Sequence, residues 1–237
     1  MRAVTRILVG GLLTATIVVL AGCATLPHSE PNAGGFSTVA PMATGAPVPE
    51  GSTPGVRVAI VGDSLTAGGG RSLSEGLTPN TWITYAKGNG VDYVGGWAVG
   101  GTTIQQMAAA VKPIAKVDVL VLMAGTNDVR HKISFADSRA SYEKVIATLH
   151  PKHVIIGAIP PNNRHPRQAA LYEKHLHAYA LAAGYDFVDP WGFARDGDVY
   201  APGTSLDGTH PTTAGYRLVG LAYRDAIVRV MATPKVG

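Results

Sequence analysis

Val56-Arg57-Val58-Ala59-Ile60-Val61-Gly62-Asp63-Ser64-Leu65-Thr66-Ala67-Gly68 is where an apolar, β-branched run stops abruptly at a serine set among glycines. Val56 to Val61 alternates and then saturates with Val, Ala and Ile, as a buried central strand does, and Gly62 lets the chain turn at its carboxyl end. In open α/β sheets that edge is where ligands sit, which makes Ser64 a candidate nucleophile. Taken alone, Gly-Asp-Ser would serve equally as a turn into a helix N-cap. Thr66 stands where the nucleophile elbow Gly-x-Ser-x-Gly requires its second glycine. The run Gly68-Gly69-Gly70-Arg71-Ser72 lacks the lysine and the spacing of a phosphate loop.

Downstream, short apolar runs alternate with amphipathic segments, the pattern of a parallel sheet flanked by helices. Strands are expected at 91–94, ended by Gly95 and Gly96, and at 117–123, 154–159 and 187–188. Helices are expected over 79–86, from Thr102 to about Ala115 with Pro113 able to cut it short, and over 138–149, 168–183 and 213–231. Gly184 is placed to close the helix before it. These elements make an α/β fold, one doubly wound three-layer α/β/α domain on a five-stranded, mostly parallel sheet spanning residues 55–237. With 237 residues, 46% of them hydrophobic and 15% charged, the chain has material for a sizeable core.

The residues before this domain have a different character. Arg2 and Arg6 precede an uncharged stretch from Ile7 to Leu20, shorter than a membrane-spanning helix needs, and Leu20-Ala21-Gly22-Cys23 follows it. Residues 1–22 are therefore expected to be a signal peptide, whose loss takes the net charge from +4 to +2. Leu20-Ala21-Gly22-Cys23 resembles the bacterial lipobox, which implies lipidation at Cys23 and an exported protein anchored to the outer face of the cell membrane. An ordinary cleaved signal or an uncleaved anchor is the alternative. Cys23 is the only cysteine, so no intramolecular disulfide can form. Residues 23–54 carry Pro27, Pro31, Pro41, Pro47, Pro49 and Pro54 among Ala, Gly, Ser and Thr. Such a composition cannot bury enough apolar surface to fold and is expected to be a linker, with a span of roughly 30 Å. No Lys/Arg-dense run with interleaved aromatics appears, so a nucleic-acid partner is not expected.

Three further stretches fall at strand-to-helix junctions on the edge that carries Ser64: Val99-Gly100-Gly101-Thr102-Thr103, Gly125-Thr126-Asn127-Asp128 and Asp207-Gly208-Thr209-His210-Pro211. Together they hold what acyl transfer needs. Serine is a poor nucleophile unless a base such as His210 takes its proton. Asp207, three residues earlier in the same turn, can orient that base. The backbone N–H groups of Ser64 and Gly101 and the Asn127 amide are candidate donors to a developing oxyanion. Each also has a plainer reading, Asn127-Asp128 as an N-cap and His210 as a solvated turn histidine.

Gly-Asp-Ser-Leu, Gly-Thr-Asn-Asp and Asp-Gly-Thr-His-Pro resemble, block by block and in order, the GDSL or SGNH hydrolase family over nearly all of residues 56–237. The resemblance implies a flavodoxin-like SGNH hydrolase fold and no metal or cofactor. It implies Ser64 as nucleophile, Asp207 and His210 as its catalytic partners, and Ser64, Gly101 and Asn127 as the oxyanion hole. The second block departs from the family, which has an Asn a few residues before its glycine where Trp97 and Ala98 stand, and Gly100 competes with Gly101 there. Asp63 and Asp128 are expected to be structural, bonding loop amides. Trp82, Tyr85 and Met107 are expected in the core, and Trp191 and Phe193 are candidates for the pocket. His175 and His177, two apart on a helix, point different ways and make no metal set.

Arg130-His131-Lys132 and Pro161-Asn162-Asn163-Arg164-His165 are polar and basic rather than greasy, which favours a short-acyl ester such as an acetyl group on a cell-envelope glycan. A thioesterase, a lysophospholipase and a catalytically silent surface-binding module stay open.

Overall fold

The computed structural model describes residues 55–68 and 72–232. The expected signal segment, Cys23, the linker up to Pro54 and the Gly69-Gly70-Arg71 part of the glycine run lie outside the described residues. Among those described, no helix is long and apolar enough to cross a membrane.

β1 (Val56–Gly62) runs into a one-turn helix, α1 (Ser64–Ala67). There follow α2 (Ile83–Ala86), β2 (Val91–Ala98), α3 (Ile104–Ala110), β3 (Val119–Met123), α4 (Thr126–Arg130) and α5 (Phe135–Leu149). β4 (His153–Gly157), α6 (Pro166–Ala182) and β5 (Asp186–Val188) complete the main sheet, and a small hairpin of β6 (Arg195–Asp196) and β7 (Val199–Tyr200) precedes α7 (Thr213–Ala232). The main sheet has five strands in the order β2-β1-β3-β4-β5, all parallel. β1 therefore leads to β2 on one side while β3 lies on its other side, and the strand order reverses between β1 and β3. That switch point opens a crevice at the carboxyl ends of the two strands.

The alternation along β1 divides the core. Ala59 and Val61 face the layer built by α3, α5 and α6, with Ile104, Met107, Tyr142 and Leu176. Val58 and Ile60 face the layer of α1, α2 and α7, with Leu65, Trp82, Val219 and Tyr223. Both faces of β3 are buried, which is why its sequence is continuously apolar instead of alternating.

The structure corrects several expected boundaries. β2 does not end at Gly95 and Gly96 but continues to Ala98 after a bulge that skips Val94. Both glycines have positive φ, and a Cβ at Gly96 would strike the Ile60 carbonyl, so they bring β2 against β1 instead of breaking it. α2 starts at Ile83 and not at Pro79. The hydroxyls of Thr81 and Thr84 donate to the carbonyls of Thr66 and Thr78, holding the preceding residues in turns. α3 is shorter than expected: Thr103 and Gln106 form a capping box at its start, and it stops ahead of Pro113. α5 starts three residues earlier than expected because Ser134 caps it, accepting the Asp137 N–H. β3 begins at Val119 and β4 ends at Gly157, each two residues inside its expected bounds.

Candidate active site

The crevice at the switch point gathers all four junction loops. Ser64 is the first residue of α1, directly after β1, with Asp63 as the helix N-cap. Its backbone N–H has no intrahelical acceptor at that position. His210 Nε2 lies 2.8 Å from Ser64 Oγ, although the two residues are 146 apart in the chain. On the other side of the ring, His210 Nδ1 is 2.7 Å from Asp207 Oδ2.

The turn that carries this pair is internally bonded. Asp207 Oδ1 accepts the N–H groups of Thr209 and His210 at 2.9 and 2.8 Å. Burial raises the pKa of this carboxyl less than the backbone and ring hydrogen bonds lower it, and it is held down at about 2. Asp207 thus stays ionised wherever an imidazole can act as base. The Ser205 hydroxyl donates to the His210 carbonyl at 2.5 Å and accepts the Gly208 N–H at 2.9 Å, closing the loop from inside. Asn163 anchors it from outside, through its N–H to the Gly208 carbonyl and its Oδ1 to the Tyr200 N–H.

Asn127 lies in α4, just past β3, and is nearly buried. Its Nδ2 donates to Asp63 Oδ2 at 3.0 Å, so the loops after β1 and β3 are tied directly across the crevice. An amide nitrogen carries two hydrogens, so this bond uses one of them, and Asn127 also lines the cleft. Asp63 also accepts the Leu65 N–H at 3.0 Å. Burial pushes its pKa up to about 6, against the lowering effect of the Leu65 bond and the His210 charge. Asp128 accepts the Ile104 N–H and the Ser138 hydroxyl, joining α4 to the starts of α3 and α5. Burial raises its pKa as well. Both aspartates bond neighbouring structure, but their partners sit in the first turns of helices rather than in loops, and one of them is the Ser138 hydroxyl.

Ser64, Gly101, Asn127, Asp207 and His210 line one cleft of about 330 Å³. Of the two glycines considered, Gly101 is the one on the cleft wall. Arg130, Asn162, Arg164 and His165 line it too, so both basic loops noted in the sequence reach it. A second hollow, on the opposite flank of Ser64 and His210, is bordered by Leu206, 94% exposed, and Tyr216. Beyond His165 a separate pocket of about 380 Å³ is walled by Val129, Ile133, Phe135, Leu171 and Tyr172. That apolar neighbour is hidden in the sequence because its residues are interleaved with the basic ones.

Trp82 and Met107 are core residues on opposite faces of the sheet, and Tyr85 is half-buried against the Trp82 side. Trp191 is not in the pocket. It is wholly buried in the core cluster of α1, α2 and α7, where its Nε1 donates to the Ala158 carbonyl at 2.9 Å. Phe193 packs beside Gly215 of α7 and also belongs to the core. His177 stacks on Phe187, and among the described residues no three His, Cys, Asp or Glu side chains are grouped as a metal site.

The fold has solved counterparts. A carbohydrate acetylesterase family member from Sinorhizobium meliloti superposes with a TM-score of 0.59 at 17% identity, covering 75% of this chain and 99% of that one. The aryl esterase of M. smegmatis gives 0.54 at 17% identity, covering 73% and 98%. The acetylxylan esterase Axe2 from Geobacillus stearothermophilus gives 0.51 at 18%, covering 73% and 94%. No curated protein matches the sequence. The model of the GDSL-like lipase/acylhydrolase family matches residues 60–218, a span that includes Ser64, Gly101, Asn127, Asp207 and His210. The chain is an ester-hydrolysing enzyme that belongs to the GDSL-like lipase/acylhydrolase family.

Proposed function

We propose that the chain is an exported serine esterase that cleaves short-acyl carboxylic esters through an acyl-enzyme on Ser64. The observation that carries the reading is the continuous relay from Ser64 Oγ to His210 Nε2 and from His210 Nδ1 to Asp207 Oδ2, at 2.8 and 2.7 Å.

The relay sets the order of events. As Ser64 Oγ bonds to the ester carbonyl carbon, its proton passes to His210 Nε2, and the carbonyl oxygen gains the negative charge. That oxyanion is met by the N–H groups of Ser64 and Gly101 and by the second amide hydrogen of Asn127. Asp207, ionised, holds the Nδ1 proton and stabilises the imidazolium. When the tetrahedral centre collapses, the C–O bond to the alcohol breaks and His210 returns its proton to the departing oxygen. A water molecule, deprotonated by His210, repeats the sequence on the acyl-enzyme, releasing the acid and restoring Ser64.

The polar lining around Ser64 supports a short acyl group, and the acetyl esterases among the structural counterparts supply a precedent. The apolar pocket beyond His165 does not include Ser64. Export and anchoring through Cys23 rest on the sequence before residue 24 and are tested by replacing Cys23 with serine and following membrane retention. The test of the chemistry is Ser64→Ala in the full chain. Hydrolysis of p-nitrophenyl acetate and labelling by a fluorophosphonate should both be lost while the fold survives. Persisting activity would refute the assignment, and a wild-type chain that fails to label would favour a silent binding module. An ester panel of graded acyl length should show acetyl turned over faster than long chains, and the reverse order would remove the short-acyl preference.

A further inference from the structure

The cleft that holds Ser64 is also lined by two exposed arginines. Arg130, in the last turn of α4, and Arg164, just before α6, both line the cavity that holds Ser64. Four other cations among the described residues are tied down, three of them by carboxylates: Arg139 by Glu143, Lys152 by Asp118, and Arg195 by Glu173 and Asp189. Arg57 bonds the carbonyls of Ala115 and Lys116. Among the described residues, neither Arg130 nor Arg164 has a carboxylate or carbonyl on its guanidinium. Asp207 is the carboxylate on the cleft wall, and it is occupied by His210.

The placement also runs against local electrostatics. α6 begins with no acid in its first turn and with no side-chain cap from His165, while Arg164 and Arg167 flank its positive end. Cations there are unfavourable, and a sequence that breaks a local rule beside reactive groups does so most often for function. The backbone beneath Arg164 is nevertheless well fixed. Asn162 Oδ1 accepts the N–H groups of Arg164 and His165, both at 2.9 Å, and the neighbouring Asn163 N–H bonds Gly208 in the catalytic turn. The backbone that carries Arg164 is therefore tied to the turn that carries His210.

Resting on the esterase reading above, we infer that Arg130 and Arg164 form an anion subsite, and that the enzyme selects esters carrying a carboxylate or phosphate within reach of Ser64. A guanidinium presents a planar fork of donors suited to either oxyanion, and exposed pairs of this kind discriminate by modest factors. An acetylated acidic glycan and a phosphate-bearing ester share this chemistry.

The experiment compares kcat/KM of the purified full chain for three anionic esters against neutral partners of the same shape. 4-Acetoxybenzoate is paired with 4-acetoxybenzamide, mono-4-nitrophenyl adipate with its methyl ester, and 4-acetoxyphenyl phosphate with 4-acetoxyphenyl methanesulfonate. The arms place a carboxylate on the alcohol side, a carboxylate on the acyl side, and a phosphate. The expected result is a preference of about tenfold for the anion in at least one pair, shrinking as NaCl rises. The ratio should fall to near one in Arg130→Gln/Arg164→Gln and persist in Lys112→Gln/Lys144→Gln, which removes the same charge away from the cleft. Equal rates within every pair, or a preference that survives loss of both arginines, would overturn the subsite while fluorophosphonate labelling of Ser64 left the esterase reading standing. Absence of labelling and of all turnover would overturn both.

Discussion

Replacing Asp63 by asparagine exchanges one carboxylate oxygen for an amide nitrogen at constant volume, and the geometry around Asn127 makes that exchange costly. Above pH 6 the Asp63 carboxylate accepts only, so Asn127 must present Nδ2 to it, and that fixes which way the Asn127 amide points. Asn at position 63 can keep the Leu65 N–H on its oxygen, but its own nitrogen then meets Asn127 Nδ2, donor against donor. Rotating the Asn127 amide by half a turn relieves the conflict and takes the donor away from the cleft. Loss of one oxyanion donor costs about 10²–10³ in rate, so Asp63→Asn should lower kcat on p-nitrophenyl acetate by that factor at pH 8 with KM little changed. The cycle with Asn127→Ala separates positioning from a general structural effect. If Asp63 acts through Asn127, adding Asp63→Asn to Asn127→Ala should cost less than about tenfold more. A single variant within about fivefold of wild type, or two losses that simply multiply, would refute the reasoning.

Asp63 also sets a direction for stability against pH. Its folded pKa of about 6 lies above the ordinary 3.8, so its favourable contribution is complete below pH 3.8 and is lost as pH rises through 6. The span corresponds to about 3 kcal/mol for a group this buried. The Tm of Asp63→Asn relative to wild type should therefore rise from pH 4 to pH 7, and a difference that stays flat would contradict it. Gly96→Ala forces a Cβ onto the Ile60 carbonyl at a positive φ and should cost at least about 2 kcal/mol in urea unfolding. Wild-type stability in that variant would mean that β2 need not approach β1 so closely. Trp191→Phe removes the bond to Ala158 and should cost about 1–3 kcal/mol, with kcat/KM on acetyl esters held within about twofold. A large loss of kcat/KM without loss of stability would return Trp191 to the pocket.

The parts of the fold that were legible are those whose signal is local. β1 from Val58 onward and all of β3 are buried on both faces, and residues 58–61 and Val119–Met123 are accordingly apolar runs that no surface element would carry. Asp207 and His210 sit three residues apart in one turn, and their bond needs nothing from the rest of the chain. Errors arose where a residue's meaning depends on a distant neighbour. Gly95 and Gly96 read as breakers until β1 is seen lying against them. Trp191 reads as a pocket aromatic until Ala158 is seen to accept its N–H. Some signals were present and unused: Ser134-x-x-Asp137 marks the true start of α5, and Asp196-Gly197-Asp198 is a hairpin turn between β6 and β7.

The candidate site follows the same division. Each of its loops announces itself by residue type, yet the bond between Ser64 and His210 spans 146 positions and that between Asp63 and Asn127 spans 64. Only the strand order β2-β1-β3 brings Asp63 and Asn127 together, since it makes β1 and β3 neighbours on the side away from β2. Asp63 was readable as a carboxylate bonding a loop amide, and the amide it bonds is that of Leu65, in the first turn of α1. Its second bond reaches the side chain proposed to meet the oxyanion. The switch point thus does more than leave room for a substrate. It sets a buried carboxylate between the Ser64 turn and the amide across the crevice, so that the sheet order itself fixes how the Asn127 amide is turned.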